Sequence, residues 1–261
     1  MPQVRPRLRK REIAFALAAG GLASGAAALI LDEDVGPDRH REPMEQVSET
    51  TWPVTGFDQV SVSGPQDVDI IYATDFKVTA SGSADALAQL EAVVENGNLI
   101  IRPRDGLSFG DIDDVTITVA MPALTRVAVD GSGDVTVERA TGPRFAGVVG
   151  GSGTLAIGLL EAEEATLSVT GSGAMEASGT AATVSIEVTG SGEIHAAGLT
   201  GNRASVAIQG SGEVDLTVQD QAAVAITGSG EVDISGPGVC SVTGSGSGEV
   251  RCEGGGNAAL D

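Results

Sequence analysis

Between residues 124 and 253, aliphatic and polar residues alternate in short runs, and each pair of runs is hinged on the tripeptide Gly-Ser-Gly. The stretches SIEVTGSGEIHA, SVAIQGSGEVDL and AVAITGSGEVDI show the unit most plainly. Alternation with a period of two predicts strands that each bury one face. The inward candidates before the turns include Val127 and Val129, Leu167 and Val169, Ile186 and Val188, Val206 and Ile208, and Val224 and Ile226. After the turns they include Val135 and Val137, Leu155 and Ile157, Ile194 and Ala196, Val214 and Leu216, and Val232 and Ile234. The tripeptide occurs seven times, starting at Gly131, Gly151, Gly171, Gly190, Gly210, Gly228 and Gly246, at steps of 20, 20, 19, 20, 18 and 18 residues. Self-similarity at a fixed period of this size is the signature of a repeat architecture. Two arrangements fit it: a β-solenoid whose strands pair in parallel with the coil above, or a string of antiparallel hairpins. A recurring corner at a nearly constant period favours the solenoid, because stacked coils need the same corner at the same height. The glycines supply φ > 0 or close backbone approach at that corner.

Upstream, the pattern is looser. FDQVSVSG and DVDIIYA alternate around Gly64 and read as a degenerate first copy with Ser-Gly-Pro at the corner. FKVTASG, GNLIIRP and DVTITVAMPAL predict further strands, with Pro122 ending the last. Residues Ala84–Val94 place Leu87, Leu90 and Val94 at helical spacing and predict one short amphipathic helix. Residues 54–253 therefore read as one all-β domain, with an irregular start over 54–123, regular coils over 124–253 and a tail over 254–261.

The N-terminal region belongs to a different class. A basic start over residues 1–12 precedes Ile13–Leu31, nineteen residues without a charge, and the acidic DEDVGPD follows. Basic before and acidic after predicts a cytoplasmic start and export of the remainder. Residues 13–31, about 28 Å long if helical, read as an apolar signal-anchor helix or as a signal peptide cleaved near Gly25–Ala28. Uncleaved, they would tether the protein to the inner membrane; cleaved, they would leave a periplasmic or secreted domain. Residues 32–52 are charged, contain proline and lack periodicity, so they read as a linker ending at Trp52.

Composition narrows the possible chemistry. The chain of 261 residues carries a formal net charge of −21, and the part after residue 31 has 10 basic and 35 acidic side chains. Such a surface offers no phosphate-neutralising patch, which argues against nucleic acid as a partner. Aromatic residues are only 3%, so the core must be built from small β-branched side chains in register. Cys240 and Cys252 follow no metal-binding spacing.

AMPALTRVAVDGSGDV (Ala120–Val135), followed by serial GSG turns with an acid and a Val after them at Gly190, Gly210 and Gly228, resembles the head domain of the putative autotransporter adhesins, the GIN-domain family. The likeness covers roughly residues 54–253 and extends to order and period as well as the tripeptide. It implies a right-handed parallel β-helix of the pectin-lyase-like kind, with GSG corners between its sheets, in a bacterial envelope or surface protein of adhesin type. Neither a membrane barrel nor a lipoprotein cysteine accompanies it in this sequence.

Three sets of residues are candidates for more than architecture. In stacked coils ~4.8 Å apart, Glu193, Glu213, Glu231 and Glu249, each directly after a turn, form a carboxylate ladder that Asp215 and Asp233 widen. Like charges about 5 Å apart in water repel by a little under 1 kcal/mol, so the ladder is either a weak Ca²⁺-type cation site or a solvated face that keeps the sheet soluble. Cys240 and Cys252 share the inward parity of the last coil and are either a disulfide pinning that coil or two buried thiols. His195 stands outward, Tyr72 and Trp52 lie outside the regular coils, and no acid–base pair or nucleophile has recognisable spacing. The sequence thus points to a non-catalytic envelope binding or scaffold module without a cofactor, whose partner is an envelope protein or glycan. A polysaccharide-active β-helix enzyme is the alternative.

Overall fold

The computed structural model describes residues 47–104, 112, 114–256 and the backbone of 258–259, all within one unit, Met44–Asp261. The basic start, the apolar segment 13–31 and the linker up to residue 46 lie outside the described residues. No described helix is long and apolar enough to cross a membrane.

The first part of the chain forms β1 (Ser48–Trp52), β2 (Gln59–Gly64), β3 (Asp67–Tyr72), β4 (Lys77–Gly82), α1 (Ala84–Gln89), β5 (Leu90–Glu95), β6 (Asn98–Pro103), β7 (Thr116–Met121) and β8 (Arg126–Gly131). Five long bent strands follow, each covering one period: β9 (Asp134–Gly151), β10 (Thr154–Gly171), β11 (Ala174–Gly190), β12 (Glu193–Gly210) and β13 (Glu213–Gly228). The last coil is broken into β14 (Glu231–Ser235), β15 (Val239–Gly246) and β16 (Glu249–Cys252), with β17 (Ala258–Ala259) behind it.

Strands one period apart pair in parallel and in register: Leu155 lies on Val135 and Met175, Met175 on Ile194, and Ile194 on Val214. This is the solenoid and not the hairpin string. The turn glycines form a column from Gly64 through Gly131 and Gly151 to Gly246, which makes the Ser-Gly-Pro corner the first copy of the repeat. The backbone at the corner forms its own ladder, with the Ser172 N–H donating to Gly151 O at 3.0 Å and the Ala174 N–H to Gly153 O at 3.1 Å. Coils this close leave no room for a Cβ: a methyl on Gly151 would lie 2.6 Å from Gly131 O.

Every inward candidate named from the alternation is buried. The column Val68, Val135, Leu155, Met175, Ile194, Val214, Val232, Val250 is 1% exposed or less throughout. Each such side chain contributes about 1.5–3 kcal/mol of burial, and the column is continuous because register repeats it. Volumes compensate locally. Gly147 occupies a core position between Leu167 and Met175, whose methyl groups approach within 3.4 Å of where its Cβ would be, while Phe145 two residues earlier fills the core over Ala165.

Three features differ from the expectations. The helix spans only Ala84–Gln89 and is capped by Ser83, whose Oγ accepts the Ala86 N–H at 3.1 Å. Leu90 and Val94 belong instead to β5, which forms an antiparallel hairpin with β6 through Asn96 (φ 52°) and Gly97 (φ 79°). Asn-Gly at φ > 0 suits a tight hairpin turn, and LEAVVE alternates well enough to follow it. Second, Ser48–Trp52, the end of the segment expected as linker, is strand β1, antiparallel to β4. Third, coil order departs from chain order. β2 and β3 lie between β6 and β7 on one side and β8 and β9 on the other. Because the chain leaves and returns, the first repeat copy sits directly under Gly131 although 66 residues of sequence separate them.

In the Gly64 corner the second glycine of the turn is replaced by Gln66, whose backbone underlies Gly133. Its fully buried side chain folds under the corner, and Nε2 donates to Ser63 O at 2.9 Å. A side chain is tolerated there because no Gly-Ser-Gly corner lies beneath it. At the other end, β17 from the expected tail returns antiparallel to β16.

Candidate binding face

Outward residues inherit the register, so each position after the turn becomes a column. The first column brings Glu193, Glu213, Glu231 and Glu249 together as consecutive neighbours. The second runs Thr136, Ala156, Glu176, His195, Asp215, Asp233, Arg251. The acidic ladder therefore has two basic rungs beside it.

These rungs organise the carboxylates. His195 Nδ1 lies 2.9 Å from Asp215 Oδ2, and its Nε2 lies 3.3 Å from Glu193 Oε2. Both nitrogens face acceptors, so both carry protons in the best-bonded state. The hydrogen bond to Asp215 accordingly raises the His195 pKa above its ordinary value, with Glu193 adding to it and partial burial opposing it. Asp215 also accepts the Ala197 N–H through Oδ1, and Thr217 Oγ1 donates to Ala197 O at 2.9 Å. These bonds hold the backbone where the β12–β13 register shifts between Ala196 and Thr200. Arg251 bridges Glu231 and Glu249, the latter at 3.1 Å, and the two carboxylates raise its pKa further.

The six acids proposed as cation ligands are thus neighbours but not a coordination shell. Glu193 and Asp215 engage His195, and Glu231 and Glu249 engage Arg251. Among the described residues no group of three or more His, Cys, Asp or Glu converges as a metal site would require. Cys240 and Cys252 are joined as a disulfide, their Cα atoms 6.4 Å apart. Cys252 takes the place of Ile234 in the coil below, and Cys240 that of Ala222. The bond ties β15 to β16 across the final turn.

Beside the second column runs an open groove of about 470 Å³, to which β9, β10, β11, β12 and β13 all contribute. Its floor is kept low by Ala156, Gly158 and Gly198, and its charged rim is Glu138, Glu176, His195 and Asp215. At its N-terminal side Glu138 Oε2 accepts the Tyr72 N–H at 3.0 Å. The exposed Tyr72 ring stacks under the Arg139 guanidinium, 4.9 Å from the ring centroid. Tyr72 is therefore part of the regular face, not of the irregular start alone.

Sequence reasoning missed Glu138, Glu176 and the partners of His195. The signal was available: counting offsets from each turn places Glu176, His195, Asp215, Asp233 and Arg251 at one position. What the arrangement does chemically is limited by His195. Its Nε2, the nitrogen that would accept a proton from a serine in a Ser-His-Asp relay, faces Glu193 instead. Ser178 lines the same groove but forms no hydrogen bond with His195 among the described residues.

Fold and face together define a parallel β-solenoid with a grooved, acidic side. The chain belongs to the family described as "putative auto-transporter adhesin, head GIN domain", which matches residues 56–238. No curated protein matches it. Among solved structures it is similar to a putative adhesin from Bacteroides fragilis (19% identity, TM-score 0.74, covering 80% of this chain and 98% of that one). It is also similar to a putative lipid binding protein from Parabacteroides distasonis (22%, 0.64, 78% and 95%) and a putative adhesin from Parabacteroides merdae (17%, 0.62, 78% and 95%). At these identities the likeness concerns the fold.

Proposed function

We propose that this protein is an exported module of the bacterial cell envelope that binds a partner along the side of its solenoid without carrying out chemistry on it. The observation that carries this reading is the groove, which crosses five consecutive strands and presents four charged side chains over a floor of small residues. A solenoid produces such a surface naturally, because stacking repeats one strand profile into an extended concavity. The basic, apolar and acidic order of residues 5–38 supports export, with residues 13–31 either tethering the domain to the inner membrane or removed. Right-handed winding is supported by the strong preference of parallel crossovers for that hand. Adhesion, the activity in the family's name, is the form such binding takes here.

The test is binding against turnover. The full chain is incubated with a panel of envelope glycans and proteins, and both retention and product formation are read. Retention without cleavage, lost when the groove rim is neutralised, supports a binding module. Release of shortened glycan by the wild type, abolished by Glu176→Gln, would replace this function with a polysaccharide-active enzyme.

A further inference from the structure

The groove's dimensions and charge restrict what it can hold. Parallel neighbours are ~4.8 Å apart, so five strands span roughly 19 Å along the solenoid axis. Strand β10 contributes only the uncharged Ala156, Ile157 and Gly158 to it, whereas Glu138, Glu176 and Asp215 stand on β9, β11 and β13. Glu176 and Asp215 stand in one column two strands apart, about 10 Å along the axis, and Glu138, two strands to the other side of Glu176, is offset from that column by two residues along β9. Glu176 forms no ion pair or hydrogen bond among the described residues, and its neighbours across the groove floor are small. Arg139, the next residue on β9, is held over Tyr72.

We propose that this groove takes an extended, cationic segment of polypeptide lying along the solenoid axis, with Lys or Arg at every third residue. The proposal rests on the side-face binding described above and names its ligand. A polyproline-II segment rises ~3.1 Å per residue with three residues per turn, so side chains on one face recur about every 9.3 Å. That spacing matches the axial separation of Glu176 and Asp215, whereas a β-strand repeats a face about every 6.7 Å and does not. Charge complementarity selects the cation: the rim carries three carboxylates against one imidazole, on a protein whose whole surface repels anions. The imidazole also makes the site pH-sensitive. His195 is faced by Glu193 on its own strand, by Asp215 on β13 and by Glu176 on β11. Protonated, it offsets one negative charge of the rim; neutral, it leaves the charge of the three carboxylates without a counter-charge beside them. Binding of a cation therefore tightens as His195 loses its proton.

The test uses the full chain and a fluorescent, end-capped (Lys-Pro-Pro)4 peptide, with fluorescence anisotropy at low salt. Saturable binding is expected, weakened about fivefold by Glu138→Gln and by Glu176→Gln, roughly the effect of one exposed charge pair. Glu187→Gln, an equal charge change at an exposed position of β11 shortly before the Gly190 turn and outside the groove, should leave it unchanged. Affinity should rise between about pH 6 and pH 9 in wild type and stay flat in His195→Gln. Equal weakening by Glu187→Gln would reduce the effect to bulk charge and overturn the proposal. So would an absence of binding, or spermine binding as tightly as the peptide. If a neutral glycan binds instead and is lost in Glu176→Gln, the cationic ligand falls while side-face binding stands. If a ligand binds and no rim substitution affects it, both fall.

Discussion

Gly150 and Gly151 are adjacent in β9, and the structure predicts opposite consequences for the same substitution. Gly151 is the first residue of its turn, at φ 100°, and an added Cβ would lie 2.6 Å from Gly131 O of the coil below. An ordinary contact of this kind needs close to a further ångström, and the opposing atom is backbone that cannot rotate away. The unfavourable φ costs about 1–3 kcal/mol, and forcing apart a packed corner costs about 1–3 kcal/mol more. Gly151→Ala should therefore destabilise by roughly 2–6 kcal/mol. At Gly150 the nearest atom to a new Cβ is Asp130 Oδ1 at 3.5 Å, an ordinary contact. Gly150→Ala should be neutral or stabilising by about 0.5 kcal/mol through the unfolded chain. Urea denaturation followed by circular dichroism gives both values from the shift in midpoint. A Gly151→Ala protein within about 0.5 kcal/mol of wild type would refute the close stacking of identical corners.

Reduction of the Cys240–Cys252 disulfide should lower stability by up to ~3 kcal/mol, with the loss concentrated in β15 and β16, as amide exchange with and without reductant would show. His195, with its pKa raised by Asp215, stabilises the folded state fully below its unfolded value near 6.5, and this contribution is lost as pH rises through the raised value. Its side chain is 43% exposed, so the gain is under about 1 kcal/mol; an NMR titration should show the pKa fall in Asp215→Asn. Arg251→Glu removes the cation shared by Glu231 and Glu249 and extends the acidic column. Its melting temperature should therefore rise more steeply with added salt than that of wild type. Leu167→Ala, at a core position fully enclosed between neighbouring coils, should cost about 2–5 kcal/mol in the same urea assay.

The regular coils were legible because one physical rule is written seven times. Alternation assigned the buried face, and the glycines marked the corners where neither φ nor space admits a side chain. Elements that occur once were harder to read. Leu87, Leu90 and Val94 fit helical spacing as well as part of a strand, and the hairpin was decided by Asn96-Gly97. The placement of β2 and β3 between strands that come later in the chain has no local signature; it depends on pairing partners far along the sequence. The binding face was half legible. The Glu ladder follows directly from the residue after each turn, but Glu176 and His195 acquire meaning only when the column five residues beyond each first glycine is followed from coil to coil. The depression itself arises from what is missing, the small side chains at Ala156, Gly158 and Gly198, and absence of bulk leaves little mark in a hydropathy pattern.

The most direct measurement of the central claim, that contacts are made along the outward columns and not at the turns or the ends, is carboxyl footprinting. The full chain is labelled with carbodiimide and glycine ethyl ester, with and without a saturating end-capped (Arg-Pro-Pro)4 peptide, whose guanidinium groups do not couple to activated carboxylates, and each acid is quantified by mass spectrometry. Protection of Glu138, Glu176 and Asp215, with Glu161, Glu187 and Glu253 unchanged, is the predicted result. Unaltered labelling of the three rim acids, or protection confined to Asp130 beside the first turn and Glu253 at the C-terminal end, would contradict it.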